Sequence, residues 1–149
     1  MRVGARDEIA RAVATGELDT GFVDGVAAAG DPLRLPEAGA RVESFTEEPL
    51  AVAVALDHPL SRPIQLEELV DARWIDAPAI CAPLAELAAI ARADGFRAAL
   101  TYEGTDVRGL LALVAAGHGL ALLPERALEG VAALPVIQPR LVHRTERLT

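Results

Sequence analysis

The chain has 149 residues, enough for one domain or two small lobes. Hydrophobic residues make up 52% and aromatic residues only 3%, so Leu, Val, Ile and Ala must fill the core. The 22 acidic and 14 basic residues give a net charge of −8. This charge argues against sequence-independent binding of nucleic acid, which needs clustered cations. The single cysteine, Cys81, excludes an intrachain disulfide.

No segment of the sequence is typical of secretion or of a membrane span. Residues 1–11 are charged rather than apolar, unlike a signal peptide. The longest apolar candidate, 109–124, is interrupted by Gly117, His118 and Gly119, and it falls short of the ~18 consecutive apolar residues that a spanning helix needs. The sequence therefore predicts a cytoplasmic protein with no membrane partner.

A helix followed by a strand is predicted at the start of the chain. Apolar residues at helical spacing predict a helix over 6–15, which Gly16 ends. A strand is predicted over 18–23, followed by a turn at 24–25. Residues 26–41 are rich in Ala, Gly and Pro without a clear period, and they are predicted to form a loop.

From residue 50 onward, buried strands alternate with helical segments. Strands are predicted over 50–56, 73–76, 98–103, 119–123, 131–137 and 141–148. Helical segments are predicted over 65–70, from Pro83 to about Asp94, from Thr105 to Gly117, and as a short turn at Pro124. Thr105 is expected to cap its helix, with Asp106 in the first turn. This alternation favours the α/β class.

Four segments contain motifs that are weak singly but occur in a recognisable order. They are GELDTGFV at 16–23, LAVAV at 50–54 with DHPL at 57–60, LEEL at 66–69 with WI at 74–75, and LVAAGHGLALLP at 113–124. With these motifs in this order, the chain resembles the effector-binding domain of LysR-type transcriptional regulators, truncated at both ends. The resemblance covers most of the chain, from Arg6 to Thr149.

The resemblance implies an α/β fold with two lobes, similar to that of periplasmic binding proteins, and a ligand cleft between the lobes. Residues 1–47 are expected to be an incomplete lobe one, 48–145 lobe two, and 146–149 the start of the return strand to lobe one. The family's first strand and helix, its C-terminal helix and its winged helix-turn-helix have no counterpart here. A homodimer or higher homo-oligomer is expected.

Two loops of lobe two are expected to line the effector site. The resemblance implies that the helix starts at 79–83 and 104–107 face the cleft, where unpaired backbone N–H groups favour an anion. The expected ligand-binding residues are Ala79, Ile80, Cys81, Thr105 and Asp106. Thr105 is expected to make the strongest contact, although capping of the following helix is an equally common role for a threonine at this place.

Chemistry other than ligand binding has little support in the sequence. Cys81 lacks a second cysteine and nearby bases, so a structural thiol is a simpler interpretation than a redox sensor. The three histidines share no ligand spacing, so no metal or cofactor is expected. Ser61 near His58 is no catalytic triad, and no acidic residue lies in an apolar context, so nothing indicates an enzyme. The arginines Arg140, Arg144 and Arg147 are interpreted as a solvated strand face.

The expected function is the sensing of a small effector, most often an organic acid in this family. Its binding would shift the two lobes and act through a DNA-binding domain that is absent from this chain. The alternative is a solute-binding protein for transport, which shares the fold but would need a signal peptide. An enzyme on this scaffold would rest on fold analogy alone. A fragment without any ligand is the remaining possibility.

Overall fold

The structure is a computed structural model that describes residues 6–33, 39–57, 64–80, 84–91, 95–134 and 137–149. The helices are α1 (Arg6–Ala14), α2 (Leu84–Ala91) and α3 (Val107–Ala115). The strands are β1 (Gly21–Ala28), β2 (Val42–Val54), β3 (Ile64–Gln65), β4 (Trp74–Asp76), β5 (Ala98–Thr101), β6 (Ala121–Pro124), β7 (Ala132–Ala133), β8 (Ile137–Gln138) and β9 (Leu141–Leu148). Short 3₁₀ turns cover Leu66–Leu69 and Glu125–Ala127. The predicted α/β class is confirmed.

The chain divides into two compact units. The first unit consists of residues 1–48 and 142–149, and the second unit of residues 49–141. The chain therefore passes from the first unit to the second within β2 and returns at the start of β9. Among the described residues, no helix is long and apolar enough to cross a membrane.

The first unit packs α1 on a sheet in which β9 lies between β1 and β2. Ile9 and Val13 occupy the buried face of α1, as their helical spacing requires. They join the buried side chains of Val23, Val142 and Leu148 from the strands. This cluster is the core of the first unit.

A buried group of charges interrupts that core on β9. Arg144 is 4% exposed and Glu146 is fully buried. The Nε of Arg144 donates to Oε2 of Glu146 at 2.6 Å, and its Nη1 donates to Oε2 of Glu47 at 2.9 Å. The guanidinium also lies 3.7 Å from the centre of the Phe45 ring. The expectation of a solvated face is therefore wrong for Arg144, while Arg140 and Arg147 are exposed.

These contacts keep Arg144 charged. Burial lowers the pKa of Arg144, but the hydrogen bonds to Glu146 and Glu47 outweigh burial and raise the pKa above its ordinary value. The backbone supplies further donors to the two carboxylates. The N–H of Leu33 donates to Glu146 and the N–H of Gly30 donates to Glu47, each at 3.0 Å. The side chains of Arg144, Glu146 and Glu47 therefore connect β9, β2 and the segment after β1 through hydrogen bonds.

The second unit contains strands in both orientations. The later part of β2 pairs antiparallel with β6 and with β7, for example Val52 opposite Leu122. Strand β4 pairs in parallel with β5, and Trp74 forms a parallel bridge to Leu120, immediately before β6. Helix α3 covers these strands with Leu110 and Val114, which belong to the unit's buried core. The Nε1 of the fully buried Trp74 donates to the carbonyl of Leu69 at 2.8 Å.

The predicted elements of the second unit are mostly confirmed. The expected strands at 73–76, 98–103 and 119–123 are β4, β5 and β6, and the helical segment at 65–70 is the 3₁₀ turn. The helix predicted from Pro83 is α2, although Pro83 and residues 92–94 lie outside the described residues. The single strand predicted over 131–137 is wrong: two short strands, β7 and β8, stand there instead, and they pair with different partners, β2 and β3.

Strands β1 and β2 differ from their predicted bounds by five residues or more at one end. The turn expected at 24–25 is wrong because β1 continues through it, with Asp24 exposed and Gly25 buried. The loop expected over 26–41 therefore begins after Ala28. Strand β2 begins at Val42, eight residues before its apolar run. Its first eight residues are exposed or half-buried, so they lack the hydrophobic pattern by which a buried strand is found.

Candidate functional site

The carboxyl ends of β4 and β5 lie side by side in the second unit. Asp76, the last residue of β4, pairs with Thr101, the last residue of β5. The two loops that follow, 77–80 and 102–106, therefore leave the sheet at adjacent positions. The N–H of Tyr102 donates to the carbonyl of Asp76 at 2.7 Å, which joins the beginnings of the two loops. In open α/β sheets, ligands bind at this edge of the strands.

The loop after β4 contains three of the predicted site residues. Its backbone closes a turn in which the N–H of Ile80 donates to the carbonyl of Ala77 at 2.9 Å. Ala79 is exposed, whereas Ile80 is half-buried and packs against the unit's apolar core. Cys81 lies outside the described residues. Ala79 is thus open to solvent at this edge, and Ile80 anchors the loop to the core.

The loop after β5 contains the other two predicted site residues, Thr105 and Asp106, and the residue that caps α3 differs from the prediction. The carboxylate of Asp106 accepts a hydrogen bond from the N–H of Arg108 at 3.0 Å, and the extended backbone of Asp106 makes it the N-cap of α3. The prediction that Thr105 caps this helix is wrong, because α3 begins at Val107 and the cap is the residue directly before it. Thr105 is exposed, and its hydroxyl bonds to none of the described residues.

Tyr102 is a residue of this edge that the sequence analysis missed. It is half-buried, and its hydroxyl donates to the carbonyl of Asp106 at 3.1 Å. The ring lies against Gly104 and Gly109, where an added Cβ would overlap the tyrosine side chain. The two glycines therefore let the ring fold over the start of α3. The sequence feature that could have indicated this role is the chain's only tyrosine, followed by glycines two and seven positions later.

Asp76 gives the edge an unused hydrogen-bond acceptor. Its Oδ1 is buried and bonds to none of the described residues. Glu103 and Asp106 lie in the neighbouring loop, so the edge has acidic side chains and no basic one before Arg108. Such an edge can accept hydrogen bonds from hydroxyl or amino groups of a ligand, while the hydroxyl of Thr105 can donate or accept. Among the described residues, no three His, Cys, Asp or Glu side chains lie together as metal ligands.

Comparisons with known proteins agree with this architecture. The family described as the LysR substrate binding domain matches residues 1–146. Full-length BenM carrying the E226K mutation is similar in structure, with a TM-score of 0.62 and 19% identity over 97% of this chain and 49% of that one. This chain thus spans about half the length of full-length BenM. A comparison with curated protein sequences gives no match.

Isolated effector-binding domains are similar as well. The BenM effector-binding domain with its effector benzoate has a TM-score of 0.57 and 20% identity, over 97% of this chain and 67% of that one. The effector-binding domain of QuiR in complex with shikimate has a TM-score of 0.54 and 18% identity, over 98% of this chain and 68% of that one. At these identities the likeness concerns the fold alone. The family match over residues 1–146 confirms the predicted relation to LysR effector-binding domains.

Proposed function

This chain belongs to the LysR substrate binding domain family, and we propose that it is the effector-sensing part of a LysR-type transcriptional regulator. The observation that carries the proposal is the family match over 1–146 together with the adjacent loops at the carboxyl ends of β4 and β5. We assign the first unit to lobe one and the second unit to lobe two. No catalytic role is proposed, because the family is regulatory.

Ligand binding would act by favouring one arrangement of the lobes. A ligand shifts such an equilibrium only by the difference between its affinities for the two arrangements. The contacts on the second unit would come from Ala79 and Thr105, and from the backbone N–H groups of their loops. Cys81 and Asp106 complete the proposed set, with Asp106 acting as the cap that orders the second loop.

The effector we propose is a small hydroxylated organic acid. The unused acceptor on Asp76 and the acidic neighbours Glu103 and Asp106 disfavour a ligand that offers only negative charge. Hydroxyl groups can donate to the exposed carboxylates of Glu103 and Asp106, while loop N–H groups can bind the ligand's carboxylate. Shikimate, which carries both kinds of group and is bound by the structural neighbour QuiR, is a suitable first probe. Benzoate, the effector of BenM, has no hydroxyl and is the matched comparison.

The regulator would bind DNA through a winged helix-turn-helix outside this chain, as a homodimer or higher homo-oligomer in the cytoplasm. With its net charge of −8, this part of the protein is unsuited to holding DNA itself. Light scattering on the protein containing complete lobes is expected to show at least a dimer. A monomer at high protein concentration would contradict the proposed assembly.

The rival function is solute binding for transport on a related fold. Reading the coding DNA upstream and downstream of this chain separates the two. An in-frame winged helix-turn-helix is the result expected for a regulator. An in-frame secretion signal would overturn the proposal and assign the chain to transport.

A further inference from the structure

We propose that the second unit holds another ligand pocket, suited to a small zwitterion with an apolar side chain. The pocket has a volume of about 420 Å³, within the ~300–1,000 Å³ typical of small-molecule sites. It lies where β2 pairs with β6, beside β7 and β8. Its lining combines apolar side chains with two charged ones: Leu50, Leu134, Ile137, Leu141, Glu125 and Arg140. This inference does not rest on the proposed function.

The two charges of the pocket have opposite sign and are not paired within the part of the chain that the structure describes. Neither the carboxylate of Glu125 nor the guanidinium of Arg140 forms a hydrogen bond or ion pair with any described residue, including each other. Two opposite charges that line the same cavity without pairing with each other match a ligand carrying both a carboxylate and an ammonium group. The guanidinium of Arg140 can bind a carboxylate with two parallel hydrogen bonds, and Glu125 can accept from the ammonium.

The pocket is separate from the edge described above. It shares no lining residue with the loops 77–80 and 102–106. Its position is set instead by the antiparallel register of β2 and β6, which places Leu50 opposite Pro124, the residue before Glu125. Arg140 comes from the segment just before β9, so residues about 90 positions apart in sequence meet here.

Amide chemical-shift titration of the 149-residue chain with L-leucine, L-methionine and L-phenylalanine tests the proposal. At least one of them is expected to give saturable shifts at Ala51, Ala133, Leu134 and Ile137, and none in the two loops. For the leucine series, 4-methylpentanoate lacks the ammonium and 3-methylbutylamine lacks the carboxylate. Each is expected to bind at least about tenfold more weakly than leucine, because each loses one charge-assisted contact.

Charge-removing variants identify the residues responsible. Arg140→Gln is expected to weaken binding of the best amino acid about 10- to 100-fold and to leave binding of 3-methylbutylamine unchanged. Glu125→Gln is expected to weaken binding of the amino acid by a similar factor and to leave binding of 4-methylpentanoate unchanged. Both side chains are exposed, so the fold should tolerate the changes. Arg97→Gln and Glu67→Gln are controls in the same unit, exposed and outside the pocket. Absence of saturable shifts with all three amino acids, or variants that bind as tightly as the unchanged chain, would overturn the proposal.

Discussion

Arg144 and Glu146 lie two residues apart on β9 and form a buried ion pair, with 2.6 Å between Nε and Oε2. Glu47 on β2 completes the group from nearly 100 positions earlier in the chain. Oε1 of Glu146 is buried and bonds to none of the described residues. Among the described residues, Arg144 alone supplies these carboxylates with a compensating charge, supported by backbone N–H groups.

Replacing Arg144 by Gln is expected to destabilise the chain strongly. The change leaves the carboxylates of Glu146 and Glu47 without their cation, and breaking a buried pair in this way costs about 3–5 kcal/mol. Urea unfolding followed by circular dichroism measures the loss. Arg147→Gln on the same strand is the control, because its pair with Glu43 is about half exposed and such pairs contribute at most about 1 kcal/mol. Equal losses for the two variants would contradict a structural role of the buried group.

The same contacts predict how stability responds to pH. The pKa of Arg144 is raised in the folded chain, so its contribution is complete below the pKa of the unfolded chain and would be lost only as pH rises through the folded value. Titration of Arg144 should therefore not change the difference in unfolding free energy between the unchanged chain and Arg144→Gln from pH 6 to pH 9.

Asp106 is expected to have a structural role, whereas Thr105 is expected to bind the ligand. Asp106→Ala removes the N-cap of α3 and should cost about 0.5–2 kcal/mol of unfolding free energy, whereas Asp106→Asn keeps most of it. Thr105→Ala should change stability by less than about 0.5 kcal/mol, since its hydroxyl bonds to none of the described residues. Thermal unfolding of the three variants measures this. A larger loss for Thr105→Ala than for Asp106→Ala would reverse the assignment.

Gly109 is expected to be needed for the position of Tyr102. In a helix, Gly→Ala normally stabilises by up to about 1 kcal/mol. Here the added Cβ would overlap the tyrosine side chain and displace its hydroxyl from the carbonyl of Asp106, which offsets the gain. The stabilisation should reappear when Gly109→Ala is made together with Tyr102→Ala. A double-mutant cycle measured by urea unfolding tests this coupling, and strict additivity would refute it.

The sequence predicted elements whose signal is local. The apolar spacing that places Leu110 and Val114 on one face of α3 is visible within two turns, and the apolar run of β2 lies in five consecutive residues. These patterns, with the ordered family motifs, were sufficient for the α/β class and for the two adjacent loops. The choice between Thr105 and Asp106 as cap was beyond the sequence, because both residue types cap well and the helix start can differ by one residue.

Features that depend on distant pairing could not be predicted. Strand alternation places Arg144 on the face of β9 that carries Val142 and Leu148, opposite to exposed Arg147. The partners that compensate its buried charge and cover it, Glu47 and Phe45, come from another strand and are not visible in the local sequence. Tyr102 becomes part of the edge because β4 and β5 pair in parallel, which brings its N–H to Asp76. The pocket lined by Glu125 and Arg140 likewise exists only after β2 and β6 have paired.

Effector binding at the edge of β4 and β5 is tested most directly by amide chemical shifts of this chain during titration with organic acids, shikimate and benzoate among them. We expect saturable shifts in residues 77–80 and 103–107, tighter binding of hydroxylated acids than of benzoate, and affinity reduced about 2- to 10-fold by Thr105→Ala. The absence of saturable shifts in both loops with every acid, or unchanged affinity in Thr105→Ala, would contradict the proposed site.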